Sequence, residues 1–197
     1  RSSKYLFIVG LPLAVGTILL ADRIILLIYG AEFAPAVAAL RLLSLYLPLR
    51  FVSHATGWTL AAINREPLRT LSAGIAAGTN ISLNLLLIPS LGLIGAAVST
   101  VITQILLFTL YFYFVAKHFH RLPLHKMVIK PCIACLVMGI FVFSLKEANL
   151  LLLVALAAMI YFGMLYLLKT FDTDDRKMFH DVVKGLARSL PPGATGT

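Results

Sequence analysis

The stretch "SLNLLLIPSLGLIGAAVST" (Ser82 to Thr100) decides the fold. Two apolar runs meet at "PSLG" (Pro89 to Gly92), where proline and glycine together mark a tight turn. Outward from that turn, the apolar runs extend from about Thr70 to Ile88 on one side and from about Leu93 to Ala116 on the other. Each is long enough to cross a hydrocarbon layer, which takes roughly 17–25 mostly apolar residues as a helix. A helical hairpin in lipid is therefore expected.

The same reading divides the rest of the chain. Further spans are expected over about Tyr5 to Tyr29, Pro35 to Ile63, Met127 to Leu145 and Leu150 to Leu168. The expected fold is all-α, a polytopic transmembrane bundle of six spans over residues 1–168. Composition agrees: of the 197 residues 60% are hydrophobic and 13% charged, where soluble domains run near 45–50% and 25%. Mean hydropathy is +0.94. Residues 169–197 are expected to form a cytoplasmic tail. In it Phe179, Val182, Val183, Leu186 and Leu190 recur at the spacing of a short amphipathic helix.

Charge placement orients the bundle. If Arg1 is cytoplasmic, 13 of the 17 Lys and Arg residues fall on the inner side, which predicts a multi-pass protein with both ends in the cytoplasm. The net charge of +9 then reflects topology and attraction to lipid head groups, and the dispersed basic residues exclude a nucleic-acid partner. The chain starts at Arg1 without a visible cleavable leader, and is expected to be part of a longer protein.

No carboxylate falls at mid-membrane depth. Paired acids for glycosidic chemistry, a buried acid for proton relay and a Walker-type loop are all lacking, so no enzyme activity and no cofactor are expected. Asp22 beside Arg23 is the faint exception that would suit a membrane glycosyl- or acyltransferase. Cys132 and Cys135, one turn apart, read as small packing residues. His118, His120 and His125 read as interfacial rather than metal-binding.

The polar residues inside the spans are of another kind. Arg50 lies near the centre of a run of about 43 Å, with His54 one turn on and Gly57 and Ala61 continuing that face. An arginine there costs roughly 2.5–3.5 kcal/mol on insertion scales, and no acid in the spans can pair with it. Either an anionic ligand visits it, or it bonds the Ser44 carbonyl that Pro48 deprives of a helical donor. Asn80, Asn84 and Gln104 lie at similar depth and would bind substrate hydroxyls or bond helix to helix. Arg41, close enough to the outer end to snorkel, is the weaker candidate. "GIAAG" (Gly74 to Gly78) and the small residues after Gly92 suggest backbones in near contact.

The order of "LIYGAEFAPAVAALRLLSLYLPLRF", "LAAINREPLRTL" and "GTNISLNLLLIPSLGLIGAAVSTVITQ" resembles the polysaccharide-exporter branch of the multidrug/oligosaccharidyl-lipid/polysaccharide flippase superfamily. The resemblance covers about residues 5 to 120. It implies two six-helix lobes related by a pseudo-two-fold, the amino-terminal lobe lying outside this chain. It also implies alternating-access transport of polyprenyl-diphosphate-linked oligosaccharide across the cytoplasmic membrane. Basic cavity residues of such proteins are thought to meet the diphosphate, and Arg50 is the matching position. The expected partners are therefore the bilayer, the missing lobe and an anionic lipid-linked glycan. A drug–cation antiporter and a lipid II flippase of the same superfamily are the related alternatives.

Overall fold

A computed structural model describes residues 2–118, 124–145, 149–168 and 170, all helical but for short turns. The elements are α1 (Ser2–Ile28), a 3₁₀ turn (Ala31–Phe33), α2 (Ala36–Ser44), α3 (Tyr46–Ala62), α4 (Glu66–His118), α5 (Leu124–Ser144) and α6 (Leu150–Leu167). Four stretches are long and apolar enough to cross a membrane: Tyr5–Ile28, Ala36–Ala62, Glu66–His118 and Leu150–Leu167. Ile129–Ser144 is a shorter apolar helix. The predicted amphipathic tail, His120 and the side chain of His125 lie outside the described residues.

Local chemistry sets the breaks. Gly30, at φ 90°, ends α1 in a conformation that a side chain disfavours. Pro48 cannot donate to Ser44, and the span read over Pro35 to Ile63 divides at Leu45 into α2 and α3. After α3, Asn64 takes the left-handed conformation (φ 56°). Its N–H donates to the Ala61 carbonyl at 3.0 Å and that of Arg65 to the Leu60 carbonyl at 2.9 Å. This is a Schellman cap, which satisfies two end carbonyls and turns the chain into α4.

At 53 residues α4 would be about 80 Å long if straight. It is not straight: Gly92, at φ 54° and ψ −127°, interrupts it. The pairs Asn84–Ser99 and Asn80–Thr103 bond across the break, so arms 66–91 and 93–118 run antiparallel. The arms touch at Gly95, where an added Cβ would come within 2.6 Å of the Leu87 carbonyl carbon. Gly74 and Gly78 correct the expectation drawn from "GIAAG". Nothing lies within 4 Å of the Cβ position of either, and the close approaches fall instead at Gly10, Gly57 and Gly95.

Helix α1 is the shared member of two packed groups. On one side it meets α5 and α6 through Ile8, Leu20, Ala134, Cys135, Met138, Val142, Leu153, Ala157, Tyr161 and Leu165. On the other it packs against α2 and α3, with Gly10 admitting Phe51 and the Pro48 backbone. A second cluster, Leu60, Tyr111 and Val115, joins α3 to the far arm of α4. The Tyr161 hydroxyl donates to the Ile8 carbonyl at 2.7 Å. Pro12, inside α1, has no N–H to offer that carbonyl, so Tyr161 supplies the donor the helix lacks.

The outward surface is apolar. Leu85, Leu86, Leu136, Ile140, Leu151 and Leu167 are each at least two-thirds exposed. Exposed leucine on this scale fits lipid contact and not water. The chain is a multi-pass membrane protein.

Candidate functional site

The polar residues of the described spans fall into separate groups, and the group on α3 is exposed. Helix α3 buries Val52, Ser53, Ala55, Thr56, Gly57 and Leu60 against its neighbours. Its opposite stripe leaves Arg50, His54 and Trp58 exposed, at four-residue intervals of about 6 Å along the axis. The stripe expected from Arg50 and His54 therefore continues through Trp58. Gly57 instead faces the Tyr111 ring at 3.0 Å from its Cβ position, and Ala61 is half-buried.

Two of the three exposed residues are joined. Trp58 Nε1–H donates to His54 Nε2 at 3.1 Å, and the rings meet edge to face with centroids 6.1 Å apart. That bond requires His54 Nε2 to carry no proton. The Arg69 guanidinium, from the first turns of α4, lies 4.9 Å over the Trp58 ring, a cation–π contact. Trp58 and Arg69 escaped the sequence reading, although the continuing i, i+4 spacing from Arg50 pointed to Trp58.

Arg50 makes no hydrogen bond or ion pair with any described residue. The carbonyl freed by Pro48 does not capture it. Nor do the other candidates gather around it. Asn84 donates to Asn80 Oδ1 at 3.0 Å, Asn80 to Thr103 Oγ1 at 3.2 Å, and the Ser99 hydroxyl to Asn84 Oδ1. These bonds zip one arm of α4 to the other. Gln104 is buried and donates to Ser53 Oγ of α3 at 2.8 Å. In this arrangement Asn80, Asn84 and Gln104 spend their polar groups on helix contacts.

Arg41 is 3.6 Å from Asp22 of α1. Its charge is therefore met by the acid nearest the same end, where snorkelling alone was expected. A cleft of about 270 Å³ beside the pair is lined by Ile18, Leu19, Arg41, Val142 and Phe143. Apart from the guanidinium, that lining offers no group for acid–base or nucleophilic chemistry. Among the described residues no cluster of His, Cys, Asp or Glu could hold a metal ion.

Two curated relatives match the chain. One is an uncharacterized membrane protein of Methanocaldococcus jannaschii, 29% identical over 174 residues, which covers 85% of this chain and 33% of that protein. The other is a probable low-salt glycan biosynthesis flippase of Haloferax volcanii, 32% identical over 93 residues, 47% of this chain and 20% of that protein. The chain thus spans at most about a third of the length of either relative. No protein-family profile and no solved structure matches it.

Proposed function

We propose that this chain is the carboxy-terminal part of a flippase that moves polyprenyl-diphosphate-linked oligosaccharide across the cytoplasmic membrane by alternating access. The observation that carries the reading is Arg50: a permanent cation in the middle of a span, exposed, with no described residue to neutralise it. A diphosphate entering a central cavity would provide charge-assisted bonds to it. The likeness to a protein named as a glycan biosynthesis flippase supports the same class. The short share of each relative agrees with a second lobe contributed by the rest of the protein.

In this reading both arms of α4 and helix α5 cross the bilayer with α1, α2–α3 and α6. That makes six crossings, with both ends cytoplasmic. The face of α3 bearing Arg50, His54 and Trp58 lines the cavity, opposite the missing lobe. The chain acts by binding and rearrangement and catalyses no covalent step. A cation antiporter would instead call for a buried acid within the spans; Asp22, near one end of α1, is already beside Arg41, and Glu66 lies at the turn into α4.

The test is Arg50→Gln in the full-length protein, with surface glycan and protein abundance followed together. Lost export at normal abundance is expected. Normal export would overturn the reading, and reduced abundance would assign Arg50 to packing.

A further inference from the structure

We propose that the Trp58 ring, braced by His54 and Arg69, is the platform on which the first sugar of the diphosphate-linked glycan stacks, on the cytoplasmic side of Arg50. This rests on the flippase reading and adds to it a place for the sugar.

Three observations carry it. The first is the bracing itself. A tryptophan at a lipid–water boundary needs one hydrogen bond from its indole N–H and is otherwise free to rotate. Here the indole edge is fixed by His54 at 3.1 Å and one ring face by the Arg69 guanidinium at 4.9 Å, yet the residue stays 57% exposed. A ring held so before binding loses little freedom when a ligand packs on it.

The second is chemical fit. The C–H face of a pyranose is weakly positive and complements the negative π-face of indole. The groups flanking the ring are hydrogen-bonding ones, the Arg69 guanidinium and the His54 imidazole, which suit the equatorial hydroxyls of the same sugar.

The third is order along the helix. Arg50 and Trp58 are two turns apart, about 12 Å, with His54 between them. Phosphate on Arg50 and a sugar on Trp58 follow the order in which a lipid diphosphate and its glycan are linked. The charge at the Trp58 end of α3 is also right for an anion: Arg65 and Arg69 stand against Glu66, and Glu66 forms no ion pair with a described residue.

The test uses the full-length protein in nanodiscs and two probes: a polyprenyl diphosphate bearing one N-acetylhexosamine, and the same lipid diphosphate without sugar. Wild type is expected to bind the sugar-bearing probe about tenfold more tightly. Trp58→Leu should abolish that preference while its affinity for the sugarless probe stays within about twofold, which also reports a folded protein. Trp58→Tyr should keep most of the preference, and Arg69→Ala should lower it. Arg50→Gln should weaken both probes together.

An undiminished preference in Trp58→Leu would overturn the platform and leave Trp58 a boundary anchor. An equal loss for both probes would also overturn it. Wild type binding both probes equally would remove the platform alone. Wild type binding neither would remove the flippase reading as well.

Discussion

Replacing Tyr161 by phenylalanine should destabilise the bundle in a way that depends on Pro12. The aromatic ring would remain, filling the same space in the core that joins α1, α5 and α6, so no cavity forms. What is lost is one hydrogen bond of 2.7 Å to the Ile8 carbonyl. Tyr161 is fully buried and Ile8 is 3% exposed, so water cannot replace the donor. A buried carbonyl left unpaired costs about 1–3 kcal/mol. In a Pro12→Ala background the residue-12 N–H can reach the Ile8 carbonyl along the helix, and Tyr161→Phe should then cost well under about 1 kcal/mol. The double-mutant cycle should give a coupling of about 1–2 kcal/mol, within the range for groups that share a partner. The measurement is reversible unfolding in mixed micelles followed by far-UV circular dichroism. Additive costs, with Tyr161→Phe equally harmful in both backgrounds, would refute the claim that Tyr161 substitutes for the missing donor.

The small residues of α4 give a second prediction: Gly95→Ala should destabilise by about 1–3 kcal/mol through overpacking on Leu87, whereas Gly78→Ala, with open space at its Cβ, should be neutral or mildly stabilising in the same unfolding assay. Replacing Gln104 by leucine should lower stability by about 1 kcal/mol by stranding Ser53; adding Ser53→Ala should recover part of that loss. Arg41→Gln should reduce protein abundance more than Asp22→Asn, because it removes the cation beside a carboxylate that has an oxygen hidden from solvent, whereas Arg41, about half exposed, can be hydrated once Asp22 is neutralised; quantitative immunoblotting of membranes would check this.

Much of the backbone was legible in the sequence, because it depends on residues that alter their own backbone. Pro48 and the division at Leu45, Asn-Arg at the turn into α4, and the reversal at Gly92 were all readable, since proline removes a donor and glycine or asparagine tolerates positive φ. Partners across helices were not. Helix α6 is apolar all round, so its period cannot say which stripe faces inward. The structure selects Leu153, Ala157, Tyr161 and Leu165. Asp22 and Arg41 were both placed near the outer end, but pairing them required knowing which faces of α1 and α2 meet. "GIAAG" misled for the same reason: spacing identifies a smooth face without showing what lies against it. At the candidate site Arg50 and His54 were visible as anomalies. The bracing of Trp58 by Arg69 was not, because it depends on how α3 meets the start of α4.

The Tyr161–Ile8 bond also constrains how the protein is made. Its two partners are 153 residues apart, one in the first helix of the chain and the other in α6. At a synthesis rate of about 5–20 residues per second, Tyr161 emerges roughly 8–30 s after Ile8. For that interval the carbonyl opposite Pro12 has entered the membrane, or waits beside it, without its eventual donor. Such a group is costly in hydrocarbon. Until α6 is inserted, α1 therefore has a reason to linger at the insertion machinery or against a chaperone. A ribosome stalled before Tyr161 should leave it there.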